Sequence, residues 1–256
     1  MPMSYVCDMD GVIYHGSRLI PGAFEFVRRL QAGGHRFLFL TNNSKWTPRD
    51  LSHKLEQLGI SVEESAFHTS ALATADFLSR QKPRGTAYVI GGAGLTHALY
   101  SVGFTLTEHN PDYVVVGETR SYDYEKIERA VWLIRSGARF IATNPDVTGP
   151  TEQGIVPACG ALVAPIELAT GKKPYFVGKP NPLMMWTALH ALQASPDQAF
   201  MVGDRMDTDI IAGTEAGMKT ILVLSGVTSR ELIETYPYRP THVYEDVGHI
   251  PVEELG

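Results

Sequence analysis

Short apolar runs alternate with amphipathic segments along most of the sequence, and this alternation allows few folds. The runs "YVC" (5–7) and "YVVV" (113–116) have the length of strands, whereas Phe24, Val27 and Leu30 recur at helical spacing. Strands that alternate with helices form parallel sheets through right-handed crossovers. Strands that are apolar throughout suit a sheet that is covered on both faces. We therefore predict an α/β fold with room for two sheets.

Periodicity and turn residues place the individual elements. Thr47, Pro48 and Asp50 suit the first turn of a helix, and Gly59 suits its end. Other helices are predicted over 21–32, 71–78, 95–102, 124–135, 162–169, 183–192 and 209–216. Further strands are predicted over 36–40, 86–90, 140–142, 175–177, 199–202 and 220–224, and a linker over 81–85.

Bulk properties exclude several classes of protein. The 256 residues suit one large domain or two modest ones, and a net charge of −6 argues against a nucleic-acid polymer as partner. Cys7 and Cys159 match no zinc or redox spacing, which favours reduced thiols in a cytoplasmic protein. The first residues lack a signal-peptide pattern, and no apolar stretch approaches the roughly 20 residues of a membrane span. We expect a cytoplasmic protein with no membrane partner, and the oligomeric state stays open.

Polar residues gather where predicted strands end. Ligands of open parallel sheets bind beyond the carboxyl ends of the strands, so these residues are candidates for one site. They are Asp8, Asp10 and Gly11 after the first strand, Thr41–Ser44 after the second, Gly178–Pro180 after "YFV", and Gly203–Asp209 after "FMV".

The two nearest carboxylates, Asp8 and Asp10, suggest the chemistry. Like charges this close raise each other's pKa, and a hard divalent cation such as Mg²⁺, bound through oxygen ligands, would offset that effect. Thr41 and Lys179 would then face a phosphoryl group, as a donor and a positive charge. Asp8 would attack phosphorus to form an aspartyl-phosphate, and Asp10 would protonate the leaving oxygen and later deprotonate the water.

Four ordered motifs, "DMDGV", "LTNNS", "VGKP" and "GDRMDTD", resemble those of the haloacid dehalogenase superfamily. The segments "GETRSY", "ARFIATNPD" and "PACGAL" are similar to its NagD-like phosphatases. This resemblance implies a parallel-sheet, Rossmann-like core domain over 1–83 and 177–256. An α/β cap domain would be inserted over 84–176.

The resemblance also assigns residues to roles. Asp8 would be the nucleophile and Asp10 the acid–base catalyst. Mg²⁺ would be held by Asp8, the main-chain carbonyl of Asp10 and Asp204, with Asp209 supporting the metal site. The residues expected to bind substrate are Asp10, Thr41, Asn42, Lys179, Arg205, Met206, Asp207 and Thr208.

The function expected from this reading is magnesium-dependent hydrolysis of small phosphomonoesters. Nucleoside monophosphates are the foremost class of small phosphorylated metabolite, with sugar phosphates, glycerol phosphate and pyridoxal phosphate as alternatives. Specificity is expected at 120–122, 144–146 and 159–160. These three stretches are assigned by the resemblance and by their place in loops of the expected cap.

Other readings are weaker. In a calcium loop, Val6 and Ser17 would take positions one and twelve, and neither is a carboxylate. A dehalogenase has no alkoxide to protonate and needs no magnesium, so Asp10 and Asp204 would have no role in its reaction. A phosphosugar mutase and a non-catalytic ligand-binding protein are less favoured alternatives. "GGAGL" (91–95) lacks the G-x-G-x-x-G spacing of a dinucleotide loop.

Overall fold

The computed structural model describes residues 3–151 and 154–255. Its strands are β1 (Ser4–Cys7), β2 (Tyr14–His15), β3 (Arg18–Leu19), β4 (Arg36–Thr41), β5 (Phe67–Thr69), β6 (Thr86–Ile90), β7 (Thr105–Leu106), β8 (Tyr113–Val116), β9 (Arg139–Ala142), β10 (Thr148–Thr151), β11 (Gly154–Pro157), β12 (Tyr175–Phe176), β13 (Ala199–Gly203), β14 (Lys219–Val223) and β15 (His242–Tyr244). Its α-helices are α1 (Ala23–Ala32), α2 (Pro48–Gln57), α3 (Ser70–Gln81), α4 (Ala93–Ser101), α5 (Tyr124–Arg135), α6 (Cys159–Thr170), α7 (Pro182–Leu192), α8 (Ile211–Glu215) and α9 (Arg230–Ile233).

The chain forms two compact units, and both are discontinuous in sequence. The first unit contains the described residues up to Thr41, then Leu51–His68, and then those from Lys179 onward. The second unit contains Asn42–Asp50 and Thr69–Gly178. The expected core and cap boundaries at 83/84 and 176/177 stay a prediction.

The first unit is built on a six-stranded sheet with the order β15-β14-β13-β1-β4-β5. Strand β1 lies between β4 and β13 and pairs in parallel with both. Its residues Tyr5, Val6 and Cys7 are completely buried, in agreement with a strand that is covered on both faces. Rings of Phe26 and Phe200 pack against Tyr5, so the core lies directly beneath the carboxyl end of β1.

The second unit has its own parallel sheet of five strands, in the order β12-β9-β8-β6-β7. Helices α5 and α6 supply Ala130, Ile134 and Ile166 to a core that also contains Val114 and Val116 of β8. The α/β fold with two parallel sheets is thereby confirmed. Strand β12 precedes Lys179 in the chain but belongs to this second sheet, whereas the sequence pattern groups it with the strands around Asp8.

Local sequence signals explain where several helices begin. At the start of α2, the Asp50 carboxylate accepts a hydrogen bond from the main-chain N–H of Thr47, and the Thr47 hydroxyl accepts one from Asp50 N–H. This reciprocal pair satisfies N–H groups that a helix start leaves unpaired. At the start of α5, the Asp123 carboxylate supplies a single cap by accepting from Lys126 N–H at 2.9 Å. The predicted bounds of α5, β6 and β8 are confirmed to the residue.

The structure also contains elements that the pattern does not reveal. β2 and β3 form a hairpin of two-residue strands, and β10 pairs antiparallel with β11, although both contain glycine and proline, which are poor strand formers. The predicted helix over 209–216 is a π-helical turn at Met206–Ile210 followed by α8. None of the helices in the described part of the chain is both long enough and apolar enough to cross a membrane.

Candidate active site

Three neighbouring strands of the first unit end at the same edge of the sheet and position the site. In the register, Cys7 of β1 lies beside Phe39 of β4 and Val202 of β13. Asp8 follows Cys7 directly, and its main-chain N–H donates to Val202 O at 2.8 Å. Thr41 closes β4, and Asp204 follows β13, so both lie just beyond the same level of the sheet.

Lys179 ties two of these carboxylates together. Its Nζ lies 2.7 Å from Asp8 Oδ1 and 2.7 Å from Asp209 Oδ1. The lysine side chain is only 3% exposed, and Asp209 is completely buried. The structure therefore brings Asp8, Lys179 and Asp209 together from segments that are far apart in the sequence.

Asp204 completes the cluster, and two glycines leave room for its carboxylate. A Cβ on Gly11 would lie 2.5 Å from Asp204 Oδ2, and one on Gly226 would overlap the same carboxylate. Gly11 also has a φ of +79°, which disfavours any side chain there. Asp204 Oδ2 accepts a hydrogen bond from Val227 N–H at 2.8 Å, which fixes the orientation of the carboxylate.

Asp209 is held from several sides by the protein itself. Its Oδ1 pairs with Lys179, and its Oδ2 accepts from the main-chain N–H groups of Asp204 (3.2 Å) and Arg205 (3.1 Å). The π-helical turn at Met206–Ile210 brings Asp209 back beneath the residues that it binds. These bonds organise the backbone on which Asp204 stands.

The electrostatics of the cluster are dominated by burial. Burial raises the pKa of the Asp8 carboxyl well above its usual range; Lys179 lowers it, and Asp209 and Asp204 raise it further. Burial also raises the pKa of Asp204 to about 7, and repulsion from Asp209 adds to the shift. Burial lowers the pKa of Lys179, but Asp209 and Asp8 more than offset this and hold it above its usual value.

The donor set fits a hard divalent cation. Asp8, Asp204 and Asp209 each offer a carboxylate oxygen, and these three atoms lie within 4.8 Å of one another. With all three acids ionised, the single ammonium group of Lys179 leaves two negative charges unbalanced in a buried place. Uncompensated buried charge is costly, and oxygen donors of this kind suit Mg²⁺ or Ca²⁺. The cluster is consistent with a metal site.

Asp10 and Thr41 occupy different surroundings. Asp10 is partly exposed, and its backbone bridges to Tyr14 in the turn after β1. That turn is fixed by hydrogen bonds from Gly11 N–H to Tyr14 O and from Ile13 N–H to Met9 O, both 2.8 Å. Thr41 is buried at the end of β4. Asn42, the next residue, belongs to the second unit.

The segment Arg205–Thr208 divides into exposed and buried residues. Arg205 and Asp207 form a bidentate ion pair, in which Nε donates to Oδ1 at 3.0 Å and Nη2 donates to Oδ2 at 2.8 Å. Met206 packs in a small apolar cluster with Ile210, and its carbonyl accepts from Tyr238 OH at 2.9 Å. Thr208 is buried. A substrate-binding role for this segment stays a prediction.

Sequence reasoning overlooked the contribution of the segment after β14. Ser225 Oγ donates to Gly11 O at 2.7 Å, while Gly226 and Val227 shape and orient Asp204. A signal was present, because the strand predicted over 220–224 ends directly before these residues. Extending the rule of strand ends to this strand would have identified them.

Comparisons with known proteins agree with this geometry. The haloacid dehalogenase-like hydrolase model matches residues 5–105, and a HAD-hydrolase-like model matches residues 176–250. The dihydroxyacetone phosphatase of Corynebacterium glutamicum is 50% identical over 97% of this chain and 90% of its own. The ribonucleotide monophosphatase NagD of Escherichia coli is 47% identical over 96% of this chain and 97% of its own.

A solved structure gives the same result. The structure of NagD from E. coli K-12 superposes with a TM-score of 0.94, covering 98% of this chain and 100% of that chain at 47% identity. The family models, the sequence relatives and the fold therefore agree. The two matched ranges contain all four residues of the buried cluster, which are Asp8, Lys179, Asp204 and Asp209 and are called the Asp8 cluster below. The chain belongs to the haloacid dehalogenase-like hydrolases, in their NagD-like branch, and is a phosphatase of that type.

Proposed function

We propose that the protein is a magnesium-dependent phosphatase that hydrolyses small phosphomonoesters, nucleoside monophosphates foremost, through an aspartyl-phosphate on Asp8. The observation that carries this proposal is the buried cluster of Asp8, Lys179, Asp204 and Asp209 at the carboxyl end of the central sheet. It combines a carboxylate nucleophile, a fixed positive charge and oxygen donors for a cation. Residues 84–176 would form a cap domain inserted into the core domain of 1–83 and 177–256.

Asp8 is the proposed nucleophile because its carboxylate is buried yet held beside a cation. A nucleophilic carboxylate must be ionised, and burial opposes ionisation. The Nζ of Lys179, at 2.7 Å, favours the charged form and would also balance charge on the transferred phosphoryl group. Attack of Asp8 on phosphorus forms the acyl-phosphate bond and breaks the bond between phosphorus and the ester oxygen.

Asp10 is the proposed acid–base catalyst. Its carboxyl would donate a proton to the departing ester oxygen and then accept a proton from the water that hydrolyses the aspartyl-phosphate. The partial exposure of Asp10 suits this role, since its proton must be exchanged in every cycle. The backbone bridge to Tyr14 keeps it on a fixed turn two residues from Asp8.

The residues present fit Mg²⁺, which would be held by Asp8, the Asp10 carbonyl and Asp204. When bound, the cation would neutralise the surplus charge of the acids and polarise a phosphoryl oxygen. Asp209 would position the site instead of binding the metal, because Lys179 and two main-chain N–H groups already occupy its oxygens. Thr41, Asn42 and the segment Arg205–Thr208 are proposed to contact the substrate.

Nucleoside monophosphates are the proposed class of substrate, supported by the NagD relative, whose name gives ribonucleotides as its substrates. Dihydroxyacetone phosphate is the second candidate, because a dihydroxyacetone phosphatase is 50% identical to this chain. Both are small monoesters that one phosphoryl site could accept. The organic part of the ester decides between them.

The test is phosphate release from a panel of esters, each assayed with Mg²⁺, with chelator, and with Asp8→Asn. The panel contains nucleoside monophosphates, dihydroxyacetone phosphate, sugar phosphates, glycerol phosphate, pyridoxal phosphate and p-nitrophenyl phosphate. We expect magnesium-dependent turnover that favours nucleoside monophosphates and falls by about 10⁴-fold or more in Asp8→Asn, as when other covalent nucleophiles are removed. Turnover that persists in Asp8→Asn would contradict the proposal. So would labelled phosphate that is transferred from the substrate to an isomeric ester instead of to water.

The role of Asp10 has a separate readout. Asp10→Asn should slow nucleoside monophosphates far more than p-nitrophenyl phosphate, because p-nitrophenolate leaves with little help from an acid. Equal losses on both esters would count against an acid role for Asp10.

A further inference from the structure

Residue Asn42 follows Thr41 directly and is fixed by four residues of the second unit. We call Asn42, Ser70, Asn144, Asp146 and Gly178 the Asn42 anchor. All five belong to the second unit. Ser70 and Asn144 are completely buried, and Asn42 is nearly so. The anchor therefore draws on segments separated by as many as 136 positions in the sequence.

The main chain of Asn42 is held by two donors. Its carbonyl accepts from Ser70 Oγ–H at 2.6 Å and from Asn144 Nδ2–H at 2.7 Å. A carbonyl oxygen has two lone pairs, so these two donors use its full capacity. Ser70 is the first residue of α3, and Asn144 lies in the loop two residues after the end of β9.

The side chain of Asn42 is held at both ends of its carboxamide. Nδ2 donates to Asp146 Oδ2 at 2.8 Å. At the other end, a Cβ on Gly178 would lie 2.6 Å from Asn42 Oδ1, so the absence of a side chain there lets the amide sit against the backbone. Gly178 is itself fixed, because its N–H donates to Thr143 O at 2.7 Å.

Asn144 uses its polar side-chain atoms inside the protein. Nδ2 donates to Asn42 O and, at 3.3 Å, to Thr143 Oγ1, while Oδ1 accepts from Asp146 N–H at 3.1 Å. The residue is completely buried. Asn144 thus orients both Asn42 and the loop that carries Asp146, and it has no surface to offer to a ligand.

We propose that Asn144 and Asp146 are positioning residues that hold Asn42 for phosphoryl binding, and that they do not read the organic part of the substrate. This rests on the proposed function, in which Asn42 contacts the phosphoryl group. The resemblance to NagD-like phosphatases instead predicts that 144–146 sets specificity. The hydrogen bonds of both side chains to Asn42 favour the positioning role.

The two roles differ in their kinetic signature. All esters share the phosphoryl group, so loss of a phosphoryl-positioning residue lowers kcat/KM by the same factor for every substrate. It also weakens the binding of inorganic phosphate, which has no organic part. Loss of a specificity residue changes the ratios between substrates and leaves the affinity for inorganic phosphate unchanged.

The experiment measures kcat/KM for AMP, dihydroxyacetone phosphate and p-nitrophenyl phosphate, with the Ki of inorganic phosphate, in wild type, Asp146→Ala and Asp146→Asn. Loss of a charge-assisted hydrogen bond should raise the Ki in Asp146→Ala by about tenfold and lower every kcat/KM alike. Asp146→Asn should show a smaller effect, because its amide oxygen still accepts from Asn42. It also retains the shape of the side chain if Asp146→Ala does not fold.

The matched control is Asp112→Asn, in which the replaced carboxylate also belongs to the second unit but accepts from Thr86 N–H instead of Asn42. It should leave the Ki unchanged. An unchanged Ki in Asp146→Ala, or losses that depend on the leaving group, would overturn the positioning role. A wild-type protein that hydrolyses no ester of the panel would overturn the proposed function itself, so the two failures are distinguishable.

Discussion

Two buried polar regions of the chain balance their charges in different ways. In the first unit, Asp8 and Asp209 both pair with the ammonium group of Lys179, Asp204 lies beside them, and burial raises the pKa of Asp8 and Asp204. In the second unit, the Asn42 anchor combines one carboxylate with amides and a hydroxyl that bond to one another. The first region gathers more carboxylates than cationic side chains, which suits the binding of a cation. The second is satisfied internally, which suits holding a segment in place.

The largest effect on stability is expected from Lys179→Met, which removes the only ammonium group paired with Asp8 and Asp209 in the described structure. Removal of one partner from a buried ion pair costs about 3–5 kcal/mol, because the other charge stays buried and unpaired. We expect a loss of that size in the free energy of unfolding, measured by urea denaturation in chelator at pH 7.5.

The control for Lys179→Met is Lys126→Met, whose pair with Asp123 lies at the surface with side chains 32% and 47% exposed. Exposed pairs contribute about 0–1 kcal/mol, so this variant should unfold almost like wild type. Equal losses in the two variants would mean that the Asp8 cluster is not under the strain that its burial indicates.

A cation should stabilise the first region in proportion to its occupancy. At a concentration of Mg²⁺ one hundred times its Kd, linkage predicts a gain of about 2.7 kcal/mol in the free energy of unfolding. Asp204→Asn should remove most of this gain, whereas Asp112→Asn in the second unit should keep it. Thermal unfolding with Mg²⁺ and with chelator measures the difference. A wild-type melting temperature that is the same with Mg²⁺ and with chelator would contradict the proposed metal site.

A smaller effect is expected in the second unit from Gly94→Ala, within the "GGAGL" segment. A Cβ at Gly94 would lie 2.5 Å from Trp46 O and 2.7 Å from Ser44 O, and both atoms are backbone. Gly94 N–H also donates to Lys45 O at 2.8 Å. The absence of a side chain at Gly94 thus allows the loop that contains Ser44 and Trp46 to pack against the helix. No dinucleotide is needed to explain it.

Alanine normally stabilises a helix relative to glycine by about 0.5–1 kcal/mol. Gly94→Ala should reverse that sign and destabilise by about 1–3 kcal/mol, the usual range for overpacking. Gly149→Ala is the control, because its Cβ would meet open space. A stabilising Gly94→Ala would show that the loop moves aside without cost.

The alternation of apolar and amphipathic segments was enough to predict the fold class and the long elements. The acids of the Asp8 cluster were predicted because they follow strand ends in a sheet whose strands are parallel. The Asn42 anchor was not, because Ser70 Oγ and Asn144 Nδ2 both donate to the main-chain carbonyl of Asn42, an acceptor that every residue possesses and that no sequence pattern marks. The strand-end rule grouped β12 with the strands around Asp8, although the family resemblance placed 84–176 in the cap, because two apolar residues do not reveal their partner strand.

The smallest expected effect comes from Asp112, which ties the starts of two strands in the second unit. Its carboxylate accepts from Thr86 N–H and from the Thr86 hydroxyl, both at 2.9 Å, and pairs with Lys82. The hydrogen bond from Lys82 and those from Thr86 hold the pKa of Asp112 below its usual value of 3.8. A depressed pKa stabilises the folded state above the unfolded pKa.

We therefore expect Asp112→Asn to lower the free energy of unfolding by about 1 kcal/mol at pH 7, the usual net contribution of a hydrogen bond. Wild type should lose this advantage as the pH falls below 3.8 and through the folded pKa of Asp112, because the protonated carboxyl no longer attracts Lys82. Urea denaturation of both proteins between pH 7 and pH 2.5 measures the difference. A gap between the two proteins that stays constant over this range would mean that the shape of Asp112, and not its charge, holds the strands together.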